Sequence, residues 1–175
     1  SNLLFCSTKT AKSNLSKEGI MDGVHTVGDV MYDVMLSALK RHGEGLHAGL
    51  LKDLGLLGGK YFLITLHRPV NTDAREPLVR VVETLLEAGT EKPVVFPVHP
   101  RTEKSLKRFN LYKKLQSSED IMLIKPVGYL DLISLIKHSF KVMTDSGGVQ
   151  KEAYILGRPC ITLREETEWP ETLKG

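Results

Sequence analysis

Short apolar runs alternate with amphipathic segments along the whole chain. The apolar runs of strand length lie at residues 3–6, 24–27, 61–66, 94–98, 121–124, 141–144 and 160–163. Between them, residues 8–17, 29–40, 71–88 and 128–138 space their apolar positions as a helix does. Such an alternation is typical of repeated β-α units that build a parallel sheet. The pattern therefore predicts an α/β fold.

One stretch shows neither a strand nor a helix period. Residues 43–60 are weakly patterned and rich in glycine, which is typical of a connection between two domains. We therefore expect residues 1–42 to be the end of one α/β domain, residues 43–60 to be a hinge, and residues 61–175 to form most of a second domain.

Composition narrows the possible function classes. The 175 residues are 41% hydrophobic, enough for a sizeable core, and 24 Lys and Arg against 21 Asp and Glu leave a net charge of only +3. That charge is far below the basic field of a nucleic-acid binder. No apolar run approaches the roughly 20 residues of a membrane span. The predicted partner is a small anion, with no nucleic acid and no membrane involved.

Targeting and metal-binding signals are weak in this sequence. The first residues lack the basic and apolar regions of a secretory signal. Cys6 and Cys160 have no Cys or His at metal-ligand spacing, so we interpret both as reduced core residues of a cytoplasmic protein without a metal site.

Three polar segments each follow a predicted strand. They cover residues 65–69, 97–101 and 144–152. Open α/β sheets bind their ligands at the carboxyl ends of their strands, so we expect the three segments to lie near one another. Their shared position carries more weight than any single motif.

The third segment has the composition of a phosphate site. Asp145 or Ser146 can cap the following helix, while Gly147 and Gly148 leave backbone N–H groups open to an anion. An ordinary capped helix with a tight turn would look the same. Glu152, further along that helix, could reach a vicinal diol beside the phosphates, or it could simply face solvent.

The other two segments offer histidine and arginine. His67 and Arg68 suit a diphosphate, although a structural histidine beside a surface arginine remains an alternative. His99 is either a ligand contact or a hydrogen-bonded buried histidine. A basic cluster indicates either a solvated helix face or a second anion site, and its members are Arg101, Lys104, Lys107, Arg108, Lys113 and Lys114.

Several common catalytic motifs do not occur. The sequence has no P-loop, no G-x-G-x-x-G, no G-x-S-x-G and no metal-spaced Cys/His set. Hydride transfer, P-loop hydrolysis of nucleotides and zinc chemistry are therefore disfavoured.

Six strings in this sequence occur together, and in the same order, in one family. They are TLHRPVN at 65–71, PVHPR at 97–101, PVGYL at 126–130, DSGGVQKEA at 145–153, LGRP at 156–159 and LREETEWPE at 163–171. On these motifs the chain resembles the UDP-N-acetylglucosamine 2-epimerase family along essentially its whole length. Such a series of co-linear motifs is far more specific than the Ser-Gly-Gly turn alone.

The resemblance implies a GT-B architecture, in which two Rossmann-like domains hold a UDP-sugar between them. The chain then corresponds to a C-terminal half, with an incomplete second domain that binds UDP. By the same resemblance His67 is catalytic. The residues implied to bind UDP are Arg68, His99, Ser146, Gly147, Gly148, Glu152 and Arg164.

The family reaction interconverts UDP-N-acetylglucosamine (UDP-GlcNAc) and UDP-N-acetylmannosamine. It eliminates UDP to give 2-acetamidoglucal and adds UDP back, with no cofactor. The resemblance places the acid-base carboxylates before Ser1, so the chain alone is expected to be inactive. The longer protein is expected to be a cytoplasmic homodimer.

Two departures leave the sugar open. Val70 stands where the family has Glu, and Trp169 stands where many bacterial members have Arg. The second departure resembles archaeal members and the diacetamido-sugar branch. A GT-B glycosyltransferase and a non-catalytic nucleotide-sugar-binding module are the alternative functions.

Overall fold

The chain separates into two compact units. A computed structural model describes residues 2–42, 48–56 and 61–173. The units are Ser1–Glu44 and Gly45–Gly175. Each is described by itself below.

The first unit is a small β-α-β-α arrangement. Its elements are β1 (Leu4–Cys6), α1 (Lys9–Lys17), β2 (Val24–Thr26) and α2 (Val30–His42). The two strands pair in parallel, with Leu4 opposite Val24. Thr8 begins α1, since its side chain accepts the Ala11 N–H at 3.1 Å. The strands and helices predicted for this region are confirmed within one or two residues.

The second unit alternates strands and helices. It begins with α3 (Ala48–Asp53) and β3 (Phe62–Thr65) and ends with β7 (Cys160–Thr162) and a 3-10 turn (Pro170–Leu173). The elements between them are α4 (Pro69–Thr72), α5 (Arg75–Glu91), β4 (Val94–Pro97), α6 (Pro100–Arg108), α7 (Tyr112–Gln116), β5 (Ile121–Ile124), α8 (Tyr129–His138), β6 (Lys141–Thr144) and α9 (Gly147–Ile155).

The five strands of the second unit form one parallel sheet. Their spatial order is β5-β4-β3-β6-β7. The chain moves outward from β3 to β5 and then returns to the other side of β3, so the strand order reverses between β3 and β6. At such a switch point the loops that leave the two neighbouring strands diverge and open a crevice. The residues after β3 and after β6 border that crevice.

The core lies around the central strands. Phe62, Ile64, Val94 and Phe96 are buried and pack with apolar side chains of α5 and α6. Strands covered by helices on both faces are apolar without alternation, which is why these segments read as continuous apolar runs.

The helix predicted over 71–88 is wrong as a single element. It is two helices, α4 and α5, separated at Asp73 and Ala74. Pro77 has no N–H to donate to the carbonyl of Asp73, so a continuous helix would lose that bond. In α5 Pro77 lies in the first turn, where an intrahelical donor is not needed.

The predicted hinge at 43–60 lies partly outside the described residues. Residues 43–47 and 57–60 belong to that part. Between them α3 forms a short helix, which the weak pattern did not indicate, and its Leu51 is buried. The assignment of residues 43–60 as a hinge stays a prediction. No described helix is long and apolar enough to cross a membrane.

Candidate functional site

The turn between β6 and α9 forms the first part of the site. The Ser146 hydroxyl accepts the Val149 N–H at 3.4 Å and so caps α9. The Ser146 N–H donates to the Thr144 hydroxyl at 3.0 Å. The Ser146 N–H is therefore already occupied. The N–H groups of Gly147 and Gly148, in the first turn of α9, have no intrahelical acceptor and carry the positive end of the helix dipole.

Gly147 lies under the segment that follows β7. A Cβ at this position would lie 2.9 Å from Glu168 Oε2, 3.1 Å from Trp169 Nε1 and 3.2 Å from an Arg164 nitrogen. Glycine thus allows these three side-chain ends to approach the start of the helix. We call residues 164–169 the strap.

Asp145 joins the turn to the loop after β3. Its carboxylate is fully buried and accepts the backbone N–H of Arg68 at 2.8 Å and that of His67 at 3.1 Å. The Asn71 amide donates to it at 3.2 Å. Sequence reasoning considered Asp145 only as a helix cap. Its signal was a carboxylate directly after an apolar strand, because a buried carboxylate needs several N–H donors.

His67 is oriented by the same carboxylate. Its Nδ1 lies 3.1 Å from Asp145 Oδ1. An ionised carboxylate only accepts hydrogen bonds, so Nδ1 is the protonated nitrogen and Nε2 remains for a ligand. The side chain is 43% exposed, which leaves it accessible from the crevice.

His99 lies beside His67 at the carboxyl edge of the sheet, on the surface of the protein. Its ring centroid lies 5.7 Å from that of His67, and its Nδ1 accepts the Arg101 N–H at 3.2 Å. The residue is exposed, so the alternative of a buried histidine is wrong.

Arg164 and Arg68 come from opposite ends of the second unit and meet at Glu168. Arg164 donates to both Glu168 oxygens, at 2.9 and 2.5 Å, and Arg68 donates to Oε1 at 3.1 Å. Hydrogen bonds from Arg164, and then a backbone bond and Arg68, lower the pKa of Glu168 to about 2. Glu168 was not among the predicted site residues, and the structure places it between the two arginines.

Glu152 lies inside the molecule. It is only 4% exposed, so the alternative of a solvent-facing glutamate is wrong. Burial raises its pKa to about 7, although a hydrogen bond from Tyr129 and the charge of Lys151 act in the other direction. Tyr129, at the start of α8, was not among the predicted site residues.

Two members of the basic cluster form ion pairs. Lys107 pairs with Glu103 one turn away in α6, and Arg101 pairs with Asp73, which follows α4. Within the described residues, no three His, Cys, Asp or Glu side chains are grouped as metal ligands would be. A cleft of about 520 Å³ opens beside Arg68, Arg164 and Glu168.

This arrangement can hold a polyanion. Two free N–H groups, the Ser146 hydroxyl proton and two guanidinium groups surround one helix start, with the His67 imidazole beside them. Backbone N–H groups at a helix start, together with arginine, are a common solution for binding phosphates.

The family model described as UDP-N-acetylglucosamine 2-epimerase matches residues 1–175. The chain belongs to this family. A "UDP-N-acetylglucosamine 2-epimerase homolog" of Methanococcus maripaludis is 47% identical over 99% of the chain and 48% of its own length. The "UDP-2,3-diacetamido-2,3-dideoxy-D-glucuronate 2-epimerase" of Pseudomonas aeruginosa is 42% identical over 98% of the chain and 46% of its own length. The chain thus spans about half the length of these family members.

A solved structure of the family supports the fold. The Methanocaldococcus jannaschii UDP-GlcNAc 2-epimerase in complex with UDP-GlcNAc and UDP is 41% identical, with a TM-score of 0.87 over 99% of this chain and 48% of its own. The predicted α/β class, with a Rossmann-like parallel sheet of the GT-B type, is confirmed.

Proposed function

We propose that this chain supplies the UDP-binding part of an isomerase that interconverts UDP-GlcNAc and UDP-N-acetylmannosamine without a metal or a nicotinamide. The observation that carries the proposal is the position of the β6–α9 turn. It lies at the switch point of the sheet, with two free N–H groups and two arginines around it. The family names and the UDP complex of the M. jannaschii enzyme support the choice of ligand.

The site would act on the leaving group. Eliminating UDP from the sugar places new negative charge on the diphosphate, and fixed donors aimed at that charge lower the barrier. The N–H groups of Gly147 and Gly148 supply such donors, with Arg68 and Arg164 beside them. With Nδ1 bound to Asp145, the protonated imidazolium form of His67 would present an Nε2–H to the phosphate as a proton donor.

The nucleoside would lie on the Glu152 side of the turn. Its carboxyl group is hydrogen-bonded to Tyr129, and in its ionised form it can accept two ribose hydroxyls. Substitutions of Ser146 and Glu152 should therefore have different effects, since Ser146 would contact the phosphate and Glu152 the ribose.

A second substrate is favoured by one comparison. The P. aeruginosa relative, 42% identical, acts by its name on a diacetamido glucuronate linked to UDP. The UDP half of both substrates is the same, so the described site fits either one. The longer protein, incubated with each UDP-sugar in deuterated water, would show deuterium at C2 of its true substrate.

Binding measurements test the phosphate contact directly. In Ser146→Ala we expect UDP and pyrophosphate to bind about fivefold more weakly, as the loss of one neutral hydrogen bond of about 1 kcal/mol predicts, and uridine to bind unchanged. Ser117→Ala, at the exposed end of α7, is the matched control. Equal UDP affinity in all three proteins would contradict the proposal.

A further inference from the structure

The diphosphate site already contains an anion of the protein itself. Glu168 Oε2 lies 2.9 Å from the place that a Cβ of Gly147 would occupy, at the start of α9. The same carboxylate bridges Arg68 and Arg164. Glu168 is thus surrounded by three of the groups assigned above to the diphosphate.

The Arg164 side chain is held more firmly than the Glu168 side chain. The Arg164 side chain is 7% exposed and also donates to Gln150 Oε1 at 3.3 Å and to Thr167 Oγ1 at 3.2 Å. The Glu168 side chain is 55% exposed. Arg164 therefore keeps its position without Glu168, whereas Glu168 can turn into solvent at little cost in packing.

The charge of Glu168 makes it a competitor of the diphosphate for the same donors. Glu168 is ionised throughout the neutral range, because Arg164 and Arg68 hold its pKa at about 2. A diphosphate that approached the Gly147 N–H would meet this carboxylate at short range, and two anions that close repel each other. The diphosphate and the carboxylate cannot use the same donors.

We propose that Glu168 is an internal counter-anion of the diphosphate site, which pairs with Arg68 and Arg164 in the free protein and is displaced from them by the diphosphate of the nucleotide. This inference rests on the proposed function. A ligand can then bind only if it displaces the Glu168 carboxylate from the two arginines. A ligand must offer more charge, or better geometry, than one carboxylate, which favours a diphosphate over a singly charged anion.

The test compares Glu168→Gln with Glu166→Gln, a control that removes the same charge from a neighbouring exposed position of the strap. Calorimetry with UDP, pyrophosphate and uridine measures the three affinities. Because Glu168→Gln removes a partly exposed ion pair that competes with the ligand, UDP and pyrophosphate should bind this variant roughly fivefold more tightly than wild type. Uridine should bind all three proteins equally, and Glu166→Gln should behave as wild type.

The displacement itself has a spectroscopic readout. Trp169, the single tryptophan of the chain, follows Glu168 and lies against Lys151, with the ammonium 4.0 Å from the ring centroid. Pyrophosphate does not absorb in the tryptophan range. We expect pyrophosphate to change Trp169 emission in the wild-type protein and to change it less in Glu168→Gln.

The outcomes separate this inference from the proposed function. If wild type binds UDP but Glu168→Gln binds it no more tightly, Glu168 orients the arginines and the inference is overturned alone. Equal tightening in Glu166→Gln would indicate a general charge effect and would also overturn it, as would pyrophosphate binding without any change in emission. Failure of every variant to bind UDP and pyrophosphate contradicts the proposed function, and the inference fails with it.

Discussion

Glu152 has a shifted pKa because its side chain is buried next to few compensating charges. Its pKa is raised from 4.5 to about 7. Below 4.5 the carboxyl is protonated in the folded and unfolded chains alike. Between 4.5 and about 7 the folded protein keeps a proton that the unfolded chain has lost. The free energy of unfolding therefore falls as the pH rises through this window and levels off above it.

We predict that Glu152→Gln removes this part of the pH dependence. Urea unfolding between pH 5 and about 8 should show a steeper loss of stability in wild type than in the variant. Glu83→Gln, on the exposed face of α5, should follow wild type. Parallel curves for wild type and Glu152→Gln would show that the burial of Glu152 does not raise its pKa.

Local sequence could predict residues whose chemistry is local. Ser146, Gly147 and Gly148 are recognisable because a cap and two glycines at a helix start act within one turn. Glu168 was not among the predicted site residues, because its partner Arg68 lies 100 positions earlier. Asp145 was recognised only as a cap, since its four donors come from the loop after β3 and from Asn71 in α4. The strand order that joins these segments is not a local property.

At the scale of elements, strands were easier to predict than helix ends. Each of the seven predicted strands is present. In β3, β4 and β6, which are largely buried, the apolar run is uninterrupted because both faces are covered. The division of the predicted helix at 71–88 into α4 and α5 agrees with the backbone constraint of Pro77, and α3 lacks an apolar pattern long enough to be recognised. The strand order itself required the structure.

Asp145 connects the β6–α9 turn to the loop after β3. We predict that Asp145→Asn removes this connection. The asparagine NH2 group is a donor, so it would face the N–H donors that now bind the Asp145 carboxylate. At least one buried N–H would then lack an acceptor. Unfolding in urea should show a loss of about 3 kcal/mol, as expected when one partner of a buried charged network is removed. UDP binding should weaken as well, because the His67–Arg68 backbone is no longer fixed.

Glu83→Gln also serves as the control for this variant, with a stability within about 0.5 kcal/mol of wild type. A stable Asp145→Asn protein that binds UDP normally would show that the loop after β3 is positioned by other contacts. A stable protein with lost UDP binding would assign Asp145 to the site more than to the fold.

At the scale of the whole molecule, the chain covers about half the length of its relatives. Binding of UDP and turnover of the sugar are therefore separate questions. We expect the 175-residue chain to bind UDP without exchanging the proton at C2 of a UDP-sugar. The domain boundaries and the homodimer of the longer protein stay predictions.

The most direct test of the account is a nitrogen-proton NMR titration of the chain with UDP. The central claim is that the first N–H groups of α9 bind the diphosphate. The amide protons of Gly147 and Gly148 should therefore move strongly downfield as charge-assisted hydrogen bonds form. Uridine, which has no phosphate, should leave them in place. UDP binding with the largest shifts elsewhere, and these two amides unmoved, would contradict the account.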